Sequence, residues 1–251
     1  CKNECCAMQL RAIDSMSFTT VQPGKLLIIT SDFDARPMSY LDGEKRLGYE
    51  PAVARAVCGK LGLDPVWINH SIGDFYTELA TGNYDVIWFN QAVTQEKRAW
   101  ADFTRPYGRF DEAVLVLEES PIETPENLKG KRLGGLENLS NVELTQQFPD
   151  LELVTFSDSD NVLTTMLDAL KQGEIDAIIS DALMLLTAEA EDPALRVAFQ
   201  LPTQMPFGVG VLPGNRELLE ALNGALNTLI AEGTLAKLWA QWIPYKPCPF
   251  G

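Results

Sequence analysis

Residues 83–103 read NYDVIWFNQAVTQEKRAWADF. YDVIWF is apolar without alternation, the pattern of a short strand covered on both faces, as in a parallel sheet packed between helices. A polar corner follows, and TQEKRAWADF then predicts a helix with Thr94 at the capping position. The first turn of a helix carries partial positive charge and unpaired N–H groups, so Lys97 and Arg98 are unfavourable there unless an anion joins them. The expectation is an anion-receiving corner built from Lys97 and the helix amides. Arg98, about 100° further round the helix, reads as a solvated surface charge.

The same alternation runs outward in both directions. LLIIT, VWIN, EAVLVLE, KRLGGL, LELVTF, DAIIS, LRVAFQL and FGVGVL are further strand candidates. GYEPAVARAVCGKLG, FYTELATG, NVLTTMLDALKQG, DALMLLTAEA and the long ELLEALNGALNTLIAEGTLAKLWAQWI carry the helical period, and most stop at Gly. The class is α/β. The stretch Leu79 to Ile87, LATGNYDVI, is echoed by Leu170 to Ile178, LKQGEIDAI, each a helix end, a Gly stop and an Asp entering a strand. The echo suggests two lobes of similar topology. ESPIETPENLKG and QLPTQMPFG are Pro-bearing and mark where the chain leaves one lobe and returns. The expected division is an extension at 1–23, a first lobe at 24–117 plus 207–251, and a second lobe at 118–206.

The 251 residues are 46% hydrophobic and 22% charged, with a net charge of −15. So acidic a chain repels nucleic acid and anionic lipid surfaces, and no polynucleotide partner is expected. No run reaches the roughly 20 apolar residues of a membrane span. Cys58 lies in the helical AVARAVCGKLG and reads as a buried thiol. Cys1, Cys5, Cys6 and Cys248 stand outside the periodic segments, with no His nearby and no zinc-type spacing. A disulfide from Cys248 to one of the front cysteines is the preferred reading, and it implies an oxidising compartment. The first residue is Cys1 rather than Met, and the expectation is that an upstream piece has been removed. A Cys1 lipidated after signal-peptide cleavage and a plain chain boundary account for the start equally well.

TSDFDARPMSY, GYEPAVARAVCGKLGL, LATGNYDVIWFNQAVTQEKRAWADFTRPY, LKGKRLGGLENLS, LKQGEIDAIISDALM and LNTLIAEGTLAKLWAQWI, in this order and spacing over residues 25 to 243, resemble the periplasmic solute-binding proteins, family 3, of polar amino-acid ABC importers. The resemblance implies a type II periplasmic-binding-protein fold: two α/β lobes joined by two hinge strands and closing over a small ligand, with the C-terminal helices returning to the first lobe. It also implies a periplasmic or extracytoplasmic monomer that delivers its ligand to an ABC transporter membrane permease, with no cofactor and no metal.

Carried over residue by residue, the family's Thr-x-x-Arg carboxylate grip becomes Thr94 and Lys97, a point charge in place of a planar fork. Asp181 matches the Asp that receives an α-ammonium, and its other reading is a cap on the helix starting at Ala182. Asp32 matches a cleft position, or serves as a turn residue. Phe89, Asn90 and Ala92 replace small or hydroxyl residues, Ala35 and Ile72 stand where the family has large or aromatic ones, and Ser140 with Asn141 stands at the second lobe's Gly-Thr-Thr element. The ligand-binding set is therefore Asp32, Phe89, Asn90, Thr94, Lys97, Ser140, Asn141 and Asp181.

No Ser–His–Asp or Cys–His arrangement, phosphate loop or metal cluster can be built around these positions, and His70, the lone His, reads as a loop residue with no positioned partner. The expected function is capture of an amino-acid-like zwitterion or organic anion by lobe closure, without catalysis. The alternatives are a sensor or partner-docking protein with a repurposed pocket, and an enzyme resembling cyclohexadienyl dehydratases.

Overall fold

The computed structural model describes residues 18–136, 145, 148, 150–156 and 162–250. Cys1, Cys5, Cys6, Ser140 and Asn141 lie outside the described residues. The chain forms two compact units: 18–32, 38–109 and 206–250 in the first, and 33–37 with the described part of 110–205 in the second.

In the first unit β1 (Lys25–Thr30) pairs in parallel with β4 (Asp64–Asn69) on one side and with β5 (Val86–Ile87) on the other. β12 (Gly210–Val211) then pairs antiparallel with β5 and with β6 (Asp102–Phe103). β1 is buried along all but its first residue, as its unalternating sequence predicts. α1 (Tyr49–Leu61) buries Val53, Ala54, Val57 and Cys58 and stops at Gly62, whose φ of 68° a Cβ would disfavour. Burial pushes the Cys58 thiol up to about 12, consistent with a small core residue. After β4 come α2 (Phe75–Ala80) and then β5.

Three local expectations are corrected. TQEKRAWADF is not a helix: Lys97–Ala99 is a single 3₁₀ turn, and Asp102–Phe103 is drawn into the sheet edge beside β12. The long C-terminal helix is two, α5 (Arg216–Ala231) and α6 (Thr234–Trp242), parted at Gly233 with φ 72°. A hairpin of β2 (Tyr40–Asp42) and β3 (Lys45–Leu47) was not expected from YLDGEKRL, whose strands are too short to show a period.

The second unit is a sheet in the order β11-β7-β10-β8-β9, from β7 (Gly108–Leu117), β8 (Arg132–Leu136), β9 (Glu152–Phe156), β10 (Ala177–Asp181) and β11 (Leu195–Phe207). α3 (Val162–Lys171) and α4 (Ala182–Glu191) complete it. One face packs Ala113, Leu115 and Ile178 against Met166, Leu170 and Leu185. The other packs Val114, Val116 and Ile179 with Ile122, Leu128 and Leu133. The chain passes between the units at 32/33 and 37/38, where the short 33–37 segment joins the second unit, and again inside β7 and β11 at 109/110 and 205/206. The sequence division had no excursion at 33–37 and placed the β7 passage at 117/118.

The internal echo has a physical basis. In the first unit Asp85 accepts the N–H groups of Leu27 and Val21 (2.7 and 2.8 Å) and returns its own N–H to Leu27 O (3.0 Å). In the second, Asp176 accepts Arg132 N–H (2.8 Å) and returns its N–H to Arg132 O (2.8 Å). Each Asp enters one strand and ties it to the start of the next.

Candidate functional site

In each unit the strand order reverses beside the first strand of its parallel set, between β1 and β5 and between β8 and β10. Ligands of open α/β sheets bind beyond the C-terminal strand ends at such points. Asp32 leaves β1, Asn90 leaves β5, and Asp181 ends β10. The segment after β8, which holds Ser140 and Asn141, lies outside the described residues.

The corner after β5 is built from buried groups. Trp88 N–H bonds Ile29 O (3.0 Å), extending the parallel ladder by one residue. Asn90 then turns the chain with φ 46°, a left-handed conformation that Asn tolerates better than most residues. Its N–H points at the carboxylate of Glu50, 2.9 and 2.8 Å from the two oxygens, and the same carboxylate accepts the Tyr107 hydroxyl at 2.5 Å. Glu50 is wholly buried, and desolvation raises it to about 7 despite these bonds. Asn90 Oδ1 is buried with no hydrogen-bond partner among the described residues. Gln91, 4% exposed, donates to Phe89 O (2.7 Å) and accepts from the Tyr76 hydroxyl (2.6 Å).

Glu50 and Gln91 are supports that the sequence reading missed. A signal for Glu50 was present: it begins the 50, 53, 54, 57 stripe of α1, whose other members are core residues.

The structure departs from the predicted corner at two places. Phe89, expected to line a pocket, is 3% exposed and packs edge-on against Phe75 at 6.0 Å, a core contact. The amides meant to receive an anion are engaged: Lys97 N–H bonds Thr94 Oγ1 (3.2 Å), Arg98 N–H bonds Thr94 O (3.2 Å), and Ala99 N–H bonds Glu96 O (3.0 Å). Thr94 therefore takes the Lys97 N–H from outside the turn, whose N-cap position is Glu96 rather than the expected Thr94. The cations stand in a three-residue turn rather than at a helix start, so the charge conflict read from the sequence does not arise. What remains for an anion is the half-buried ammonium of Lys97, whose pKa is lowered by desolvation and partly restored by Glu96.

Asp32 is exposed, and its charge supports Arg46, which is 3% exposed and bonds Ser31 O, Ser39 Oγ and Asn69 Oδ1 at 2.6, 3.2 and 2.5 Å. His70 has a neighbour after all, Glu78 at 3.9 Å, with Tyr84 edge-on at 5.0 Å.

In the second unit Asp181 is 7% exposed and caps α4, accepting Leu183 N–H at 2.7 Å. Glu112, 5% exposed, stands directly opposite it in the antiparallel pair of β7 and β10. Desolvation first, then the charges of Asp181 and Asp111, push Glu112 up to about 8. A cavity of about 280 Å³ in this unit, lined among others by Phe33, Leu163, Met184 and Leu195, includes none of the expected site residues.

The profile of the bacterial extracellular solute-binding proteins, family 3, matches residues 27–245. The chain belongs to that family. Among its relatives, the ABC transporter arginine-binding protein 1 of Escherichia coli (strain K12) is 29% identical over 204 residues, covering 79% of this chain and 82% of that protein. The L-cystine-binding protein TcyJ of the same strain is 28% identical over 205 residues, covering 80% and 76%. Among solved structures, an ancestral arginine-binding protein bound to arginine matches with a TM-score of 0.76 at 26% identity, covering 88% of this chain and 98% of that one. The two-unit α/β architecture is thus that of the family 3 solute-binding proteins. No helix among the described residues is long and apolar enough to cross a membrane. Cys248 is a half-buried thiol 3.7 Å from Phe250 O, and its expected partners lie outside the described residues.

Proposed function

We propose that this family 3 solute-binding protein captures a small polar ligand, an amino-acid-like zwitterion or an organic anion and in the first place an amino acid, outside the cytoplasm, by closure of its two lobes, and delivers it to an ABC importer. The observation that carries the reading is Asp181, a nearly buried carboxylate at the C-terminal end of β10 where the strand order reverses. Such a carboxylate suits an ammonium group, and Lys97 suits a carboxylate as a flexible point charge. The ligands named for the relatives, arginine and cystine, share both groups. Asn90, with its buried amide oxygen, adds an acceptor for a ligand N–H. Binding without reaction is the proposed mode.

The test is a thermal-shift panel of amino acids, amines and carboxylates, since a ligand of the folded state raises Tm by mass action. A Tm unmoved by the whole panel would favour the sensor or docking alternative. Incubation with prephenate or arogenate, followed by absorbance, tests the dehydratase alternative.

A further inference from the structure

We propose that Glu112 is a second ligand carboxyl beside Asp181, one that holds a proton in the empty protein and gives it up when a cationic ligand group docks, so that binding releases a proton. The inference rests on the amino-acid-binding reading and deepens it, assigning the ligand a cationic group that meets two carboxyls.

The placement comes from strand register. Glu112 and Asp181 are Cα partners, and two residues further along Val114 and Ile179 are partners on the same face. Side chains directly opposite in an antiparallel pair lie about 5 Å apart at Cβ. The Val114 and Ile179 end of this face is closed by the apolar core. Both acids are more than nine-tenths buried, and Glu112 Oε2 has no hydrogen-bond partner among the described residues.

Among the described residues, the charged groups around Glu112 leave it without a cation. Asp111, next to it in sequence, points to the opposite face and accepts Gln204 N–H and Nε2–H at 3.0 and 2.9 Å. β11, the other neighbour of β7, has no charged residue from Gln200 to Phe207. α4 has none from Ala182 to Ala188, and the one cation on β8, Arg132, begins that strand and is paired with Asp176.

Two carboxylates this close in an apolar setting do not both ionise without a cation; one keeps its proton. The raised Glu112 pKa agrees with this assignment. An arriving ammonium or guanidinium reverses the balance. The Glu112 O–H bond breaks heterolytically, the proton passes to solvent, and the carboxylate left behind accepts the ligand N–H. One positive charge enters as another leaves.

The experiment has two arms on the purified chain and its Glu112→Gln variant. The first needs no ligand: infrared difference spectra between the two at neutral pH. A protonated-carboxyl C=O band that disappears in Glu112→Gln is expected, and its absence would overturn the proposal whatever the protein binds. The second is calorimetry with L-arginine in buffers of differing ionisation enthalpy. About one proton released per ligand is expected in the wild type, with affinity rising up to about tenfold per pH unit between roughly pH 6 and 8, and both effects lost in Glu112→Gln. Equal release from both proteins overturns the role of Glu112 while leaving the amino-acid reading intact. If no amino acid of the panel binds either protein while the carboxyl band is present, the amino-acid reading fails, and the coupling with it.

Discussion

Glu50 takes the backbone N–H of Asn90 between its two carboxylate oxygens, so the first turn of α1 holds the corner that leaves β5. Removing that carboxylate strands the Asn90 amide and the Tyr107 hydroxyl in a buried site. Glu50→Ala is expected to lower the unfolding free energy by about 3 kcal/mol, and Glu50→Gln by about 1 kcal/mol. Urea unfolding measures both, and equal losses would show that lost volume, not lost hydrogen bonding, sets the cost.

Folding stability should decline as pH rises through neutrality. Glu50 and Glu112, at about 7 and about 8, are both raised above the ordinary 4.5 by burial. The folded chain keeps protons there that the unfolded chain has released, so their contribution is complete below the ordinary value and is lost through pH 7 to 8. Urea midpoints across that range should flatten in the Glu50→Gln, Glu112→Gln double variant; an unchanged slope would assign the decline to other groups.

Two glycines should respond in opposite directions to the same substitution. A Cβ on Gly108 would lie 1.9 Å from Cζ of the fully buried Phe207, whereas one on Gly59, inside α1, meets nothing within 4 Å. Gly108→Ala should therefore cost about 1–3 kcal/mol through overpacking. Gly59→Ala should add about 0.5–1 kcal/mol by helix propensity. Thermal unfolding of the two variants decides it.

Binding variants can separate the observed cap of Asp181 from its proposed ligand contact. Asn caps a helix as well as Asp does but carries no charge. Asp181→Asn is thus expected to keep Tm within a degree or two while weakening amino-acid binding about tenfold or more, and Lys97→Ala to weaken it comparably. If Asp181→Asn binds with unchanged affinity by calorimetry, Asp181 is a cap only.

The parts of the fold legible in the sequence were those with a period or a run long enough to show. β1, β7 and β10 announced themselves as unbroken apolar runs, and α1 and α3 as stripes ending at Gly. TQEKRAWADF was misread because its helical propensity is overruled by pairing of Asp102 and Phe103 with β12, more than a hundred residues away. Of the expected site residues, Asp181 and Asn90 fall at strand ends where the strand order reverses, whereas Phe89 turns into the core, because a residue count does not say which way a turning chain points its side chain. Glu50 and Glu112 were passed over because each is an acid in an apolar pattern, and its partner is set by packing and strand register.

The paired contacts of Asp85 and Asp176 carry a dynamic consequence. Each is a suture closed within its own half of the chain, between strands that neighbour one another. Because the two lie in separate units, native-state hydrogen exchange is expected to resolve two cooperative foldons, with Leu27 N–H reporting on one and Arg132 N–H on the other.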